Sequence, residues 1–75
     1  MFTVTLTGHS GVIDSTVVNG PSQQDARRQA IRWARLAVQQ RRREDALTKD
    51  DVYYGFHLDV RTGADCQIAF ESVSA

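Results

Sequence analysis

The sequence predicts an α+β fold in the order ββαββ, with a four-stranded antiparallel sheet and one long helix packed on one face. Three observations carry this prediction. Near both ends of the chain, apolar and polar residues alternate as they do in half-buried strands, and the middle repeats alanines at helical spacing. Glycine-containing turns join the strands in pairs, as in β-hairpins. The 75 residues form a single small domain, residues 1–75.

The first hairpin is predicted from residues 2–18. Residues 2–7 alternate strictly, with Phe2, Val4 and Leu6 on the core face and threonines on the other. The segment Gly-His-Ser-Gly at 8–11 predicts the turn. Residues 12–18 are rich in β-branched side chains and form the second strand. We expect its core face to hold Ile13, Ser15 and Val17, and its outer face to hold Asp14 and Thr16.

A long helix is predicted over residues 22–43. Ser22 followed three residues later by Asp25 is typical of a helix N-terminus. At about 100° per residue, the alanines at 26, 30, 34 and 37 share one face. This face lets the helix lie close to the sheet, with Trp33 as its one bulky side chain.

The second hairpin is predicted from residues 52–73, after a polar loop in which Thr48 caps a short helical turn. Residues 52–61 alternate, and residues 62–65 form the turn to a last strand at 66–73. The expected core side chains are Val52, Tyr54, Phe56, Leu58, Val60, Cys66, Ile68 and Phe70. The expected outer side chains, which form a polar open face with those of the first hairpin, are Tyr53, His57, Asp59, Arg61, Gln67, Ala69 and Glu71.

Composition excludes several classes of protein. Hydrophobic residues make up 41% of the chain and there is one proline, which argues against disorder. The N-terminus has no signal-peptide pattern and no segment has the length of a membrane span, so we expect a cytoplasmic protein that does not bind membranes. Cys66 is the single cysteine, and with His9 and His57 it makes no recognised metal spacing. We expect no cofactor and no metal.

Two segments invite a catalytic interpretation, and neither supports it. The turn at 8–11 resembles the nucleophile-elbow pattern G-x-S-x-G, but Val12 stands where the second glycine belongs, and the turn leads into a strand. His57 and Asp59 lie on the same face of one strand, where a flat sheet offers no water-excluding pocket for acid–base chemistry. The expectation is therefore a protein that is not an enzyme.

The helix carries the one unusual feature of the sequence. Residues 26–43 hold seven arginines and no acid, whereas the rest of the chain is acidic, so the zero net charge is a cancellation. Three interpretations compete: a solvated face, a site for nucleic-acid phosphates, and a docking site for an acidic protein surface. The candidate partner-binding residues on the helix and on the open sheet face are Arg28, Arg32, Arg35, Gln39, Arg42, Arg43, Tyr53 and His57.

In size and layout the chain resembles the small phage-encoded anti-defence proteins, notably anti-CRISPR inhibitors. The resemblance covers the hairpin at 2–18, the helix at 22–43 and the hairpin at 52–73. It implies an inhibitor that occludes a surface of a CRISPR effector complex, and it assigns no residue a role. A second resemblance is to small dimeric antitoxin domains with an alanine-rich helix on a similar sheet. The expected partner is a protein or ribonucleoprotein; a nucleic-acid-binding module and a homodimer are the alternatives.

Overall fold

The computed structural model describes residues 1–63 and 66–74, and its architecture confirms the predicted ββαββ order. Four antiparallel strands form one sheet in the order β2-β1-β3-β4, with one main helix. A short second helix, which the sequence predicted only as a capped turn, precedes β3. The elements are β1 (Phe2–Gly8), β2 (Gly11–Val18), α1 (Gln23–Arg43), α2 (Lys49–Tyr54), β3 (Phe56–Thr62) and β4 (Cys66–Val73). The predicted turn at 62–65 lies partly outside the described residues.

The core lies between α1 and the two central strands. Ala30 and Ala34 of α1 are fully buried and belong to the same cluster as Leu6, Phe56 and Leu58. Alanine has no side chain beyond Cβ, so the helix backbone lies close to the sheet, and the strands supply the bulky side chains of the core. Trp33 packs at the margin of this cluster and is only partly buried.

Both ends of α1 are defined by local hydrogen bonds. The Ser22 side chain accepts from the backbone N–H of Asp25 at 3.2 Å, as the sequence predicts. At the C-terminus, Asp45 adopts a left-handed conformation with φ of 54°. The N–H groups of Asp45 and Ala46 then donate to the carbonyls of Arg42 and Arg41, which is a Schellman motif. The helix therefore ends before the acidic loop, and the last arginines stay helical.

The predicted strand at 52–61 is wrong over its first four residues. Thr48 and Asp51 form a reciprocal capping box, which starts α2 where the apolar alternation predicted a strand. Val52 and Tyr54, expected in the core, are exposed on this helix. Gly55 ends α2 with φ of 78°, a conformation that favours glycine, and the strand begins at Phe56.

A bulge in β4 reverses the expected orientation of several side chains. Val60 pairs with Ala69, but Arg61 pairs with Gln67, so Ile68 is an extra residue on β4. Ala69 consequently shares the helix-facing side of Val60, and Phe70, expected inside, lies on the outer face opposite Asp59. Glu71, expected outside, shares the helix-facing side of Leu58 and forms an ion pair with Arg27 of α1.

A matching bulge in β2 corrects the first hairpin. Leu6 pairs with Asp14 and Thr7 with Val12, which leaves Ile13 as the extra residue. Asp14 and Thr16 therefore face the helix, whereas Ser15 and Val17 lie on the outer face, the reverse of the expectation. Ile13 still packs against the core, as predicted.

Cys66 is exposed at the start of β4, although the alternation predicted a buried thiol. An exposed thiol reacts with a disulfide reagent without unfolding of the protein. We expect Cys66 in the native protein to react with Ellman's reagent at a rate close to that of the protein in denaturant. A reaction that requires denaturant would contradict the exposure of Cys66.

Hydrogen bonds to the carboxylate of Asp51 connect the β1–β2 turn to α2, and we call this arrangement the Asp51 clasp. The backbone N–H of His9 donates to Asp51 Oδ1 at 3.1 Å, and that of Thr48 donates to Asp51 Oδ2 at 3.4 Å. The His9 ring stacks on Tyr54 with centroids 4.8 Å apart. The glycine-rich turn at 8–11 thus has a structural role, as a connection between the first hairpin and α2.

Gly8 lies against the clasp and leaves no space for a side chain. A Cβ at this position would lie 2.6 Å from Asp51 Oδ1 and 2.7 Å from Ile13 Cδ1. We expect Gly8→Ala to lower the free energy of unfolding by about 2 kcal/mol, because the hydrogen-bonded Asp51 cannot yield without losing partners. Urea unfolding measures the change. Ser10→Ala in the same exposed turn is the control, with an expected change below about 0.5 kcal/mol.

Candidate partner-binding site

The outward side of α1 presents the candidate helix residues together, and we call this surface the arginine face. The alanines of the opposite side hold α1 on the sheet, which turns the arginine face to solvent, and all of its side chains are exposed. Its members are Arg28, Arg32, Arg35, Gln39, Arg42 and Arg43.

Acidic residues elsewhere in the fold neutralise the other arginines. Arg27 pairs with Glu71, Arg41 Nη2 lies 3.7 Å from Asp14 Oδ2, and Arg61 Nε donates to Asp59 Oδ1 at 2.9 Å. Within residues 1–63 and 66–74, no carboxylate lies within ion-pair distance of an arginine of the arginine face. The fold therefore separates paired arginines, which border the sheet, from five unpaired ones, which face solvent.

The spacing of these arginines places them in a line. Arg28, Arg35 and Arg42 recur every seven residues, and a rise of 1.5 Å per residue separates the first from the last by about 21 Å. Arg32 stands one turn from Arg28, and like charges at this spacing destabilise an isolated helix by a few tenths of a kcal/mol, roughly 0.2–0.5. Leu36 is the exposed apolar residue beside this line, with 59% of its surface accessible.

The arginine face continues into a groove between the C-terminal half of α1 and the end of β4. The groove has a volume of 310 Å³ and is lined by Arg35, Val38, Gln39, Arg42, Ser72, Val73 and Ser74. No acid is among these residues. Their guanidinium, amide and hydroxyl groups are the donors that bind carboxylates and phosphates.

The sequence predicted that Tyr53 and His57 share one face of the sheet, and the structure places them on different elements. His57 lies on the outer face of the sheet, on the opposite side from α1, because it pairs with Thr7 and Ser72. Tyr53 lies on α2 and is 81% exposed. It lines a cavity of 220 Å³ that shares Ser72, Val73 and Ser74 with the α1–β4 groove. Tyr53 therefore neighbours the end of the arginine face, and His57 does not.

The outer face of the sheet is a second uncovered surface. It carries the threonines of β1, with Phe70 stacked on His57 at a centroid distance of 5.1 Å. Asp59 is occupied by Arg61 and by Gln67, whose Nε2 lies 3.4 Å from Asp59 Oδ2. This surface presents an aromatic pair and a carboxylate that is already paired with Arg61, and neither group favours the binding of an anion.

Sequence reasoning missed the residues around Tyr53. Val52 and Tyr54 were assigned to the core, and the two serines at the end of β4 were not singled out. The one signal for Val52 and Tyr54 was the capping box at Thr48 and Asp51, which predicts helix over this segment. The serines carry no pattern of their own, because their role depends on how α1 crosses β4.

Neither a metal centre nor a membrane segment is found in the described part of the chain. No cluster of three or more His, Cys, Asp or Glu side chains is placed to hold a metal ion. None of the helices described combines the length and the apolar character that crossing a membrane requires. Comparisons of the chain with family models, with curated proteins and with solved structures found no match.

Proposed function

We propose that this chain is a non-enzymatic binding protein whose arginine face docks an acidic surface of a protein or ribonucleoprotein partner. One observation carries the proposal: five exposed arginines follow about 22 Å of α1 with no acidic partner among the described residues. The other arginines of the helix are neutralised within the fold, so the unpaired arginines among the described residues all lie on the arginine face.

The chemistry of arginine favours a protein partner. A guanidinium binds a carboxylate through two parallel hydrogen bonds, and it loses less hydration on docking than an ammonium does. Arginine and tyrosine are enriched in protein interfaces. Tyr53 stands exposed where the arginine face meets β4. Leu36 adds apolar area on the same side of α1.

A nucleic acid is the second candidate, and the regular line of arginines favours it, because such a line can follow a row of phosphates. The acidic remainder of the chain opposes it, since residues outside 26–43 hold two basic and nine acidic groups. Nucleic-acid-binding domains are usually basic as a whole. We therefore place the protein partner first.

The narrower form of the proposal is a phage-type inhibitor that occludes a surface of a CRISPR effector complex in the cytoplasm. It is supported by the chain's similarity in size and layout to small anti-defence proteins. The single cysteine, which excludes an internal disulfide, is consistent with a reducing compartment.

Charge reversal on the arginine face tests the proposal. We expect Arg28→Glu/Arg32→Glu to weaken partner binding by about 100-fold, roughly tenfold for each lost charge pair. The matched control is Lys49→Glu, which reverses an exposed cation on α2 outside the arginine face. The measurement is recovery of partners from untreated host extract by tagged wild-type and variant proteins, with both the protein and the nucleic acid that are recovered identified.

The proposal predicts a protein that wild type and the Lys49 variant retain and that the double variant loses. Equal recovery by all three would exclude the arginine face. Recovery of nucleic acid without protein, with steeply salt-dependent binding to an oligonucleotide, would replace the protein or ribonucleoprotein partner by a nucleic acid.

A further inference from the structure

Different side-chain contacts join α1 to the two edge strands of the sheet. On the β2 side, Arg41 donates to the carbonyl of Ile13 at 3.5 Å and Gln29 donates to the carbonyl of Asn19 at 2.8 Å. These contacts join α1 to β2 and to the residue that follows it. On the β4 side, Arg27 and Glu71 connect helix and strand near the helix N-terminus. Beyond that pair the α1–β4 groove is open.

Strand β4 is an edge strand, since its one neighbour in the described sheet is β3. An edge strand presents backbone N–H and C=O groups that an extended peptide can pair with. Side chains of an added strand alternate between the two faces of the sheet. Every second side chain of such a peptide would therefore project toward α1, into the groove that holds Arg35 and Arg42.

Charge defines what this groove accepts. Arg35, Gln39 and Arg42 offer hydrogen-bond donors, and the two arginines are cationic, so carboxylates are the favoured side chains. A segment with a carboxylate at every second position, and β-branched residues between them that favour an extended chain, matches the groove.

We propose that β4 and the α1–β4 groove bind an extended acidic segment of the partner protein by strand addition. The segment pairs its backbone with the outer edge of β4 near Ser72, and it places carboxylates against Arg35 and Arg42. This inference rests on the proposed function, because it states how an acidic protein partner binds beside the arginine face, namely as an added β-strand.

The test uses a short synthetic peptide that alternates Glu and Val, titrated into the isotope-labelled full chain and followed by amide chemical shifts. We expect shifts at residues 71–74 and at Arg35–Arg42, and none along β2. The same peptide with N-methyl groups on its backbone is expected to bind at least about tenfold more weakly, since it cannot complete the pairing. A peptide of equal composition with its glutamates grouped at one end is expected to bind weakly as well.

The matched protein variants are Arg35→Gln/Arg42→Gln and Arg28→Gln/Arg43→Gln, which remove the same charge inside and outside the groove. Dispersed amide spectra verify that both fold. The first pair is expected to lower peptide affinity by about 100-fold and the second by less than about threefold. Equal loss in both variants, equal binding of the N-methylated peptide, or shifts centred on β2 would each overturn strand addition.

The outcome separates this inference from the proposed function. If Arg28 and Arg32 prove necessary for a protein partner while the peptide fails to bind, strand addition is wrong and docking on the arginine face stands. If an oligothymidylate shifts the groove residues and displaces the peptide, the acidic protein segment is replaced by a nucleic acid and both proposals fail.

Discussion

Phe56→Ala is expected to lower the free energy of unfolding by about 4 kcal/mol, the largest effect of any substitution considered for this chain. Phe56 is the largest of the fully buried side chains. Its removal leaves a cavity beneath α1, and the helix residues of the same cluster are mainly alanines, which have no rotamers with which to fill it. A domain of this length has a total stability of roughly 4–11 kcal/mol, so the variant would lose at least about a third of it.

Phe70→Ala is the matched control, because it makes the same change on the outer face of the sheet. Phe70 is 59% exposed and contacts His57, so we expect a change below about 1 kcal/mol. Urea unfolding of the two variants measures the difference. Similar losses at both positions would show that Phe70 lies in the core and that the bulge at Ile68 is misplaced.

Asp51→Ala is expected to have the second largest effect, about 3 kcal/mol. The substitution leaves the N–H groups of His9 and Thr48 without their acceptor, at about 1–3 kcal/mol each, while the Thr48 side chain still accepts from the backbone N–H of residue 51. Asp51 is only 6% exposed, so water replaces the carboxylate poorly. Asp50→Ala removes the same charge from the exposed neighbour and is expected to change the stability by less than about 1 kcal/mol. Similar losses for the two aspartates would contradict the clasp.

The Asp51 clasp also makes the stability depend on pH. Burial by itself raises the pKa of Asp51, but hydrogen bonds from His9 and Thr48 outweigh it and hold the pKa below 3.8. Because the carboxyl is more acidic in the folded chain, its contribution is complete above pH 3.8 and is lost as the pH falls through the lower, folded value. We expect the unfolding free energy of wild type to fall below pH 3.8 more steeply than that of Asp51→Asn. Parallel curves would exclude this contribution.

The parts of the fold that sequence patterns predicted are those in which local signals agree. In β1, α1 and β3 from Phe56 onward, the apolar period matches the observed element and the buried side chains are the expected ones. At 52–54 two local signals disagree: alternation favours a strand, and the capping box of Thr48 and Asp51 favours a helix. The helix forms because Asp51 also accepts a hydrogen bond from His9, a partner that is distant in sequence.

The edge strands were harder to predict for a different reason. A single extra residue at Ile13 or Ile68 moves every later side chain to the other face, and nothing in the composition of either strand marks the insertion. The exposure of the arginine face follows from the helical period alone. The groove beside it could not be predicted, because it depends on how α1 crosses the end of β4.

The two bulges lie in the two outer strands of the sheet, one in each. Neither border of the sheet is therefore straight along its whole length, and a long straight border is what lets copies of a chain stack into fibres. The regular part of β4 that remains is short and adjoins the cations of α1, which repel the equally cationic helix of a second copy. We expect this protein to remain free of fibres at concentrations at which a protein of the same size with straight edge strands forms them.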